Sequence, residues 1–372
     1  MTGSARIAII GAGLSGLYAA FRLQQLGIDY VLLEARSTPG GRIVTLSSAQ
    51  MRGSTHDANE PSDYYDLGPS WFWPSFQPQL ARLVAELGLE QFAQHEKGDM
   101  LIERSHHSPP LRMASFTNSP SAMRIVGGMW ALADALRNGI DTERLHTGQT
   151  VSCIRRVEGG VEVESRHDSL GLATWRVAHA LLALPPRLAQ ATIDFSPALP
   201  SALSHGWAET ATWMAPHAKY CAVYERAFWR DQGLSGAGRS SLGPMVEIHD
   251  ASTAEGRAAL FGFIGIPATL RQTLDQAALR NLCLEQFTRM FGAQAAHPLA
   301  HDIKDWSMER HTAVQADCLS VGQHTAAPPS APTSGKWVDY LTGVASEWSP
   351  IFPGYLAGAI DAVDRAITSL SL

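Results

Sequence analysis

An α/β fold, split by an inserted α+β unit, is predicted by three features of the sequence. An apolar run, Ile7–Ile10, feeds directly into Gly11-Ala-Gly13-Leu-Ser15-Gly16. A second apolar run, Val31–Leu33, ends on Glu34, about 20 residues beyond the first glycine, where a Rossmann-like unit carries its acid. From Pro197 to about Ser334 the pattern changes, before strand and helix signals return toward the C-terminus.

The first two features describe a strand, a glycine turn, a helix and a second strand. Gly11 serves the tight turn, Gly13 lets backbone approach a phosphate, and Gly16 lets helix and strand pack closely. Ser15 falls in the first helical turn. That helix N-terminus presents N–H groups to a pyrophosphate, and Glu34 can accept hydrogen bonds from a ribose. The arrangement predicts an adenine dinucleotide without separating NAD from FAD. Pro39-Gly40-Gly41-Arg42 follows. Its glycines allow a second close approach of backbone to a bulky ligand, and Arg42 supplies a cation for a diphosphate. FAD, an extended ligand, has use for that second turn; a simple nicotinamide dehydrogenase has none.

The remaining elements follow in order. Residues 47–63 are polar and read as an exposed loop. Gln79–Leu89 places Leu80, Leu83, Val84 and Leu87 on one helical face, with Gly88 as the stop. Residues 105–121, dense in Ser, His and Pro, read as a loop. Trp130–Arg137 is helical after Gly127-Gly128. Thr150–Glu164 reads as two strands around Glu158-Gly159-Gly160, and Ala178–Leu184 as a buried strand ended by Pro185-Pro186. Farther on, Lys219–Tyr224 and Ala259–Ile266 read as strands and Gln276–Phe291 as a helix. Residues 325–335 look like a flexible connector, Trp337–Thr342 a strand and Gly354–Leu370 a helix. The resulting division gives 1–72, 122–196 and 335–372 to a discontinuous nucleotide-binding domain. It gives 73–121 and 197–334 to a substrate-binding domain.

Composition narrows the function. The 372 residues are 45% hydrophobic and 17% charged, enough for more than one core. A net charge of −6 without any Lys/Arg run argues against nucleic acid. Apolar runs are too short for a bilayer, and the N-terminal one is broken by glycines, so neither membrane nor secretory signal is expected. Cys153, Cys221, Cys283 and Cys318 are widely spaced, with no C-x-x-C or H-E-x-x-H, so free thiols in a cytoplasmic protein and no metal are expected.

The chain resembles the flavin-containing amine oxidases, the monoamine and polyamine oxidase group. The likeness rests on motifs in order: the opening glycines, Glu34-Ala-Arg36, Gly40-Gly41-Arg42, and Asp66-Leu-Gly68-Pro69-Ser70-Trp71. Gly127-Gly128-Met129, the Val151 strand, Leu182-Ala-Leu-Pro-Pro186, Lys219–Trp229, Gly343–Glu347 and Gly354-Tyr355-Leu-Ala-Gly358 complete it. The resemblance implies FAD in a discontinuous Rossmann-like domain of the GR2 type, and without the cysteine context of covalent members the FAD is expected to be non-covalent. It places Val151 at the adenine, Arg36 and Glu347 along the dinucleotide, and Leu67, Gly68, Pro69 and Ser70 beside the isoalloxazine. Lys219 matches the lysine that holds a water near flavin N5, and Tyr355 one of two aromatic walls for the substrate. Trp71, Trp73, His311 and Trp348 are further candidates for lining the substrate site, and His205, His217 and His311 for accepting a proton.

The activity so implied is oxidation of a small amine or amino acid, with hydride transfer from the α-carbon to the flavin, imine hydrolysis and reoxidation by O2 to hydrogen peroxide. Three departures keep alternatives open, one of them the short segment between Trp71 and Gly127, which predicts a more open active-site entrance. The stretch after Trp306, Ser307–Asp317, lacks the Tyr or Phe expected as the second wall. The Ser-Gly-Gly-Cys-Tyr context of covalent members is missing, and Cys318 lies a few residues out of register. A desaturase, an NAD(P)H-oxidising flavoprotein and a low-turnover FAD-holding protein remain as other readings. Oligomeric state has no signal in the sequence.

Overall fold

The computed structural model describes residues 2–53, 63–115, 117–254, 257–319 and 326–370. It divides into two compact units. The first comprises residues 1–42, 132–215 and 309–372, the second 43–131 and 216–308. These limits differ from the expected ones: 43–72 and 122–131 fall in the second unit, and 197–215 and 309–334 in the first. Packing decides this. Trp207, whose indole donates to the Pro329 carbonyl at 2.9 Å, belongs to the apolar core of the first unit.

That first unit is built on an eight-stranded sheet. Thr2–Ile10 lies at its centre, parallel to Tyr30–Leu33 on one side and to Gly171–Leu182 on the other. Ile7–Ile10 and Tyr30–Leu33 are buried throughout, as strands covered on both faces must be. Thr150–Val157 and Gly160–His167 form the expected hairpin, antiparallel to each other. The first helix runs Leu14–Gln25 and the last Leu356–Ser369, the latter burying Ala359, Ile360 and Val363. Helices not anticipated are Pro186–Thr192, which starts at the prolines read as a terminator, Ser201–Glu209 and the short Gln315–Cys318. Proline at the first helical position has no N–H that the helix would miss. The strand expected at Trp337–Thr342 is confined to Leu341–Gly343. Trp337 instead drops into the core, its indole donating to the Pro197 carbonyl at 2.8 Å, and the chain turns there.

A seven-stranded sheet forms the second unit. Its strand order is Ala300–Asp305, Ala218–Tyr224, Ala258–Ile264, Met245–Asp250, Leu234–Ser240, Asp99–Glu103, Leu111–Ala114. The helix Gln276–Phe291, capped by the Asp275 carboxylate, packs Leu279, Cys283 and Phe287 against Ala218, Tyr220 and Ala222 on one face. Cys221 and Val223 point to the other face, with Phe261 and Leu67. Lys219 shares that second face by the alternation of a strand. Two loops of the sequence reading contain regular structure. Thr45–Ser47 is a strand and Ser48–Met51 a short helix with a capping box from Ser47; residues 54–62 of that loop lie outside the described residues. Leu111–Ala114 pairs with Asp99–Glu103, an exposed edge hairpin hidden by the Ser-, His- and Pro-rich residues around it; residue 116 lies outside the described residues. Residues 326–335 of the expected connector contain no helix or strand, and residue 325 lies outside the described residues.

Candidate active site

In the first unit, the glycine turn is assembled as the sequence requires. A Cβ on Gly16 would sit 1.8 Å from the Gly11 carbonyl oxygen, so no larger residue fits. Gly13 forms a bridge with Gly40, and a Cβ on Gly41 would come within 3.0 Å of the Gly13 Cα. The second glycine turn therefore packs directly on the first. No side chain caps the first helix, leaving its first-turn N–H groups, including that of Ser15, to an outside acceptor. Glu34 is buried beside it. Its Oε2 accepts the Ala12 N–H at 2.6 Å and its Oε1 the Arg36 N–H at 2.8 Å. Each oxygen keeps a further lone pair for a hydroxyl. This cradle, lined by glycines, uncapped donors and a fixed carboxylate, fits an adenine dinucleotide.

The two arginines are placed by acidic partners. Arg42 forms a fork with Glu347, at 2.5 and 3.0 Å, and reaches Ser346 Oγ at 3.2 Å. Burial works against its charge, but the Glu347 carboxylate outweighs that and holds the guanidinium protonated above its ordinary range. Arg36 pairs with Glu309 at 3.1 Å and with Thr312 Oγ1 at 3.0 Å. His311 lies in the same neighbourhood: burial and the charges of Arg36 and Arg310 lower its pKa. It thus stands with the arginine cluster rather than with an aromatic wall. Val151 is buried on its strand. Trp348 is buried 97% in the apolar core, edge-on to Trp207 at 5.3 Å, which corrects its assignment to a substrate lining. Tyr355 is half-buried at the start of the last helix. Its ring meets Trp213 with centroids 4.7 Å apart, a contact without a periodic signal because Trp213 lies in an irregular segment. Cys318 is buried with its thiol toward the Val314 carbonyl.

The second unit contains the Lys219 cluster. The strand Ala218–Tyr224 is flanked on both sides by neighbours, so Lys219 is interior and 2% exposed. Its ammonium donates to the Gly68 carbonyl at 3.1 Å and to Ser70 Oγ at 2.5 Å, and lies 3.9 Å from the Phe261 ring centroid. Burial pulls its pKa down to about 8, opposed chiefly by the Asp66 carboxylate. Asp66 is itself buried, accepting from Thr45 Oγ1 and from the Met129 N–H at 2.9 Å. Burial raises its pKa; Arg124 and the Thr45 hydrogen bond oppose the rise. Gly68, Pro69 and Ser70 are thus tied to Lys219 through two of the three residues. Trp71 packs on Phe261 and His249. Trp73 is half-buried and takes no part in that aromatic cluster; its N–H donates to Gln77 Oε1 at 3.1 Å. His217 is largely buried, and burial followed by the Arg271 charge lowers its pKa. His249 and Phe261 were missed in the sequence because only sheet register pairs them with each other, and Trp71 reaches them from an irregular segment. Among the described residues there is no group of side chains able to hold a metal, and no helix is long and apolar enough to cross a membrane.

A glycine-lined dinucleotide cradle, together with a buried lysine tied to the Gly68 carbonyl and the Ser70 hydroxyl, defines a flavin-dependent oxidoreductase. Residues 97–366, well over half of the chain, match the flavin containing amine oxidoreductase family, and residues 9–87 match the NAD(P)-binding Rossmann-like domain. The chain belongs to the flavin containing amine oxidoreductases, and its cofactor is FAD. Putrescine oxidase of Kocuria rosea is 23% identical, over 82% of this chain and 83% of that protein. Flavin-containing amine oxidase B of Homo sapiens is 22% identical, over 98% and 86% respectively. Among solved structures, putrescine oxidase with putrescine bound superposes with a TM-score of 0.79 at 20% identity, covering 99% of each chain. Cyclohexylamine oxidase from Brevibacterium oxydans IH-35A gives the same TM-score at 19% identity, covering 98% of each.

Proposed function

We propose that this protein oxidises the C–N bond of a small amine or amino acid, and that the buried Lys219 ammonium is the feature that carries the reading. Bound FAD supplies the electron acceptor, and O2 is the proposed final acceptor. The first unit would hold the dinucleotide through the uncapped helix, the Gly13 and Gly41 backbone, Glu34 and the Arg42–Glu347 pair, with Arg36 and Val151 farther along. The second unit would bind the substrate. There the protein's own work is alignment and water control. Lys219, fixed by Gly68 and Ser70, keeps one N–H for a single oriented water, and Trp71 supplies an apolar surface. Within the first unit, Tyr355 backed by Trp213 offers an aromatic surface of its own. Relatives named for putrescine, cyclohexylamine and other amines support an amine as the reactant. Burial of Cys318 supports non-covalent FAD, and the four free cysteines fit a cytoplasmic location.

The test is anaerobic mixing of the yellow protein with amines, polyamines, amino acids and NADH. Bleaching by an amine is expected, and Lys219→Met should slow turnover about 100-fold. No bleaching by any amine, or bleaching by NADH alone, would overturn the reading.

A further inference from the structure

The sheet face that carries Lys219 also carries an ion pair to which the proposed reaction assigns no part. Register fixes its place. Lys219 pairs with Phe263, Phe263 with Glu247, and Glu247 with Arg239, so these four form one row across the sheet. Cys221, Phe261 and His249 form the adjoining row. Directly paired residues point to the same side of a sheet.

Within this patch the imidazole is held on three sides. His249 Nε2 lies 2.9 Å from Glu247 Oε1, and the other Glu247 oxygen lies 3.3 Å from Arg239. Trp71 meets the ring edge-on at 5.0 Å, and Phe261 stacks on it with a 31° tilt at 5.3 Å. The hydrogen bond from His249 holds the Glu247 carboxyl below its usual range, so it stays ionised as an acceptor. The neutral ring therefore carries its N–H on Nε2 and a lone pair on Nδ1. With the His249 side chain 24% exposed, that lone pair is within reach of a small molecule. Phe261 is shared: His249 on one side and the Lys219 ammonium, 3.9 Å from the ring centroid, on another.

Small aliphatic amines reach an enzyme at neutral pH as ammonium ions, because their pKa resembles that of lysine. The nitrogen must be neutral before the adjacent C–H can give up its electrons, so a group near the amine has to take one proton. Lys219 is 2% exposed and already donates to Gly68 and Ser70, whereas the His249 side chain is 24% open to an incoming molecule. We propose that His249, oriented by Glu247 against Trp71, accepts that proton from the substrate ammonium. One substrate N–H bond breaks and its electron pair stays on nitrogen. The new N–H bond forms at His249 Nδ1, and the proton leaves to solvent. The charged groups on this face around His249 are Glu247, which it contacts, Arg239 on the far side of Glu247, and Lys219 on the Phe261 ring. The inference rests on the amine-oxidation reading of this face.

The pH dependence of kcat/KM for an amine tests it. The holoenzyme should show an acidic limb set by an imidazole. His249→Gln should lower kcat/KM about 100-fold and abolish that limb. Imidazole added to His249→Ala should restore rate. Glu247→Gln removes the charge that favours imidazolium, so its limb should move to lower pH. Flavin absorbance checks that each variant folds. A yellow His249→Gln protein with the limb and rate of the parent overturns the inference, as does an unmoved limb in Glu247→Gln if His249→Gln does not fold. Failure of the parent protein to oxidise any amine would remove the underlying reading as well; amine turnover with an unmoved limb removes only the role of His249.

Discussion

Burying the Lys219 ammonium costs the fold stability, and the cost has a pH window. Its pKa is about 8 in the folded protein against 10.5 in the unfolded chain. Between those values the unfolded state binds more protons, so stability rises as pH climbs from about 8 to 10.5, by roughly 3 kcal/mol in all. Below that window the penalty is constant; above it the penalty is gone. Melting temperature followed against pH should show the rise, and Lys219→Met should flatten it. The Arg42–Glu347 fork makes a different prediction. Glu347 is 3% exposed, so Arg42→Ala leaves a buried carboxylate without its cation. Removing one partner of a buried pair costs about 3 kcal/mol, which urea denaturation would detect. A loss under about 0.5 kcal/mol would mean the pair behaves like a surface one.

At the scale of elements, the strand–turn–helix opening depends on backbone contacts that leave no room for side chains. Gly16→Ala would push a methyl group into the Gly11 carbonyl, 1.8 Å away. The turn must open, and the protein should purify colourless while keeping its far-UV circular dichroism. Retained FAD at parental stoichiometry would contradict this. The strand Ala218–Tyr224 shows how much an element's neighbours matter. As a sequence, Ala-Lys-Tyr-Cys-Ala-Val is compatible with an edge strand whose lysine faces water. The pairing with Ala258–Ile264 and Ala300–Asp305 makes it interior and turns Lys219 into a buried charge.

For the whole molecule, the two units have separate sheets and separate cores, and neither is contiguous in sequence. If FAD is held without a covalent bond, acid precipitation should leave the yellow colour in the supernatant. Colour that stays with the pellet would point to an attachment site such as Cys318. Stripping FAD should also lower the melting temperature. A ligand that binds only the native state stabilises it by about 2.7 kcal/mol at a hundredfold excess over its Kd.

What the sequence determined by itself was local and periodic. Glycines at 11, 13 and 16, the buried strands around them and Glu34 specify a dinucleotide cradle, because each glycine answers to a contact within a few residues or to one adjacent strand. The hairpin at Gly159 and the helix Gln276–Phe291 were legible for the same reason. Tertiary structure decided the rest. Whether Trp348 lines a site or fills a core, whether Trp213 meets Tyr355, and whether His249 stands beside Trp71 depend on residues far apart in the chain. Those relations come from sheet register and side-chain packing, which a lone sequence does not encode in any short span, since a one-residue slip in register turns every side chain of a strand to the opposite face.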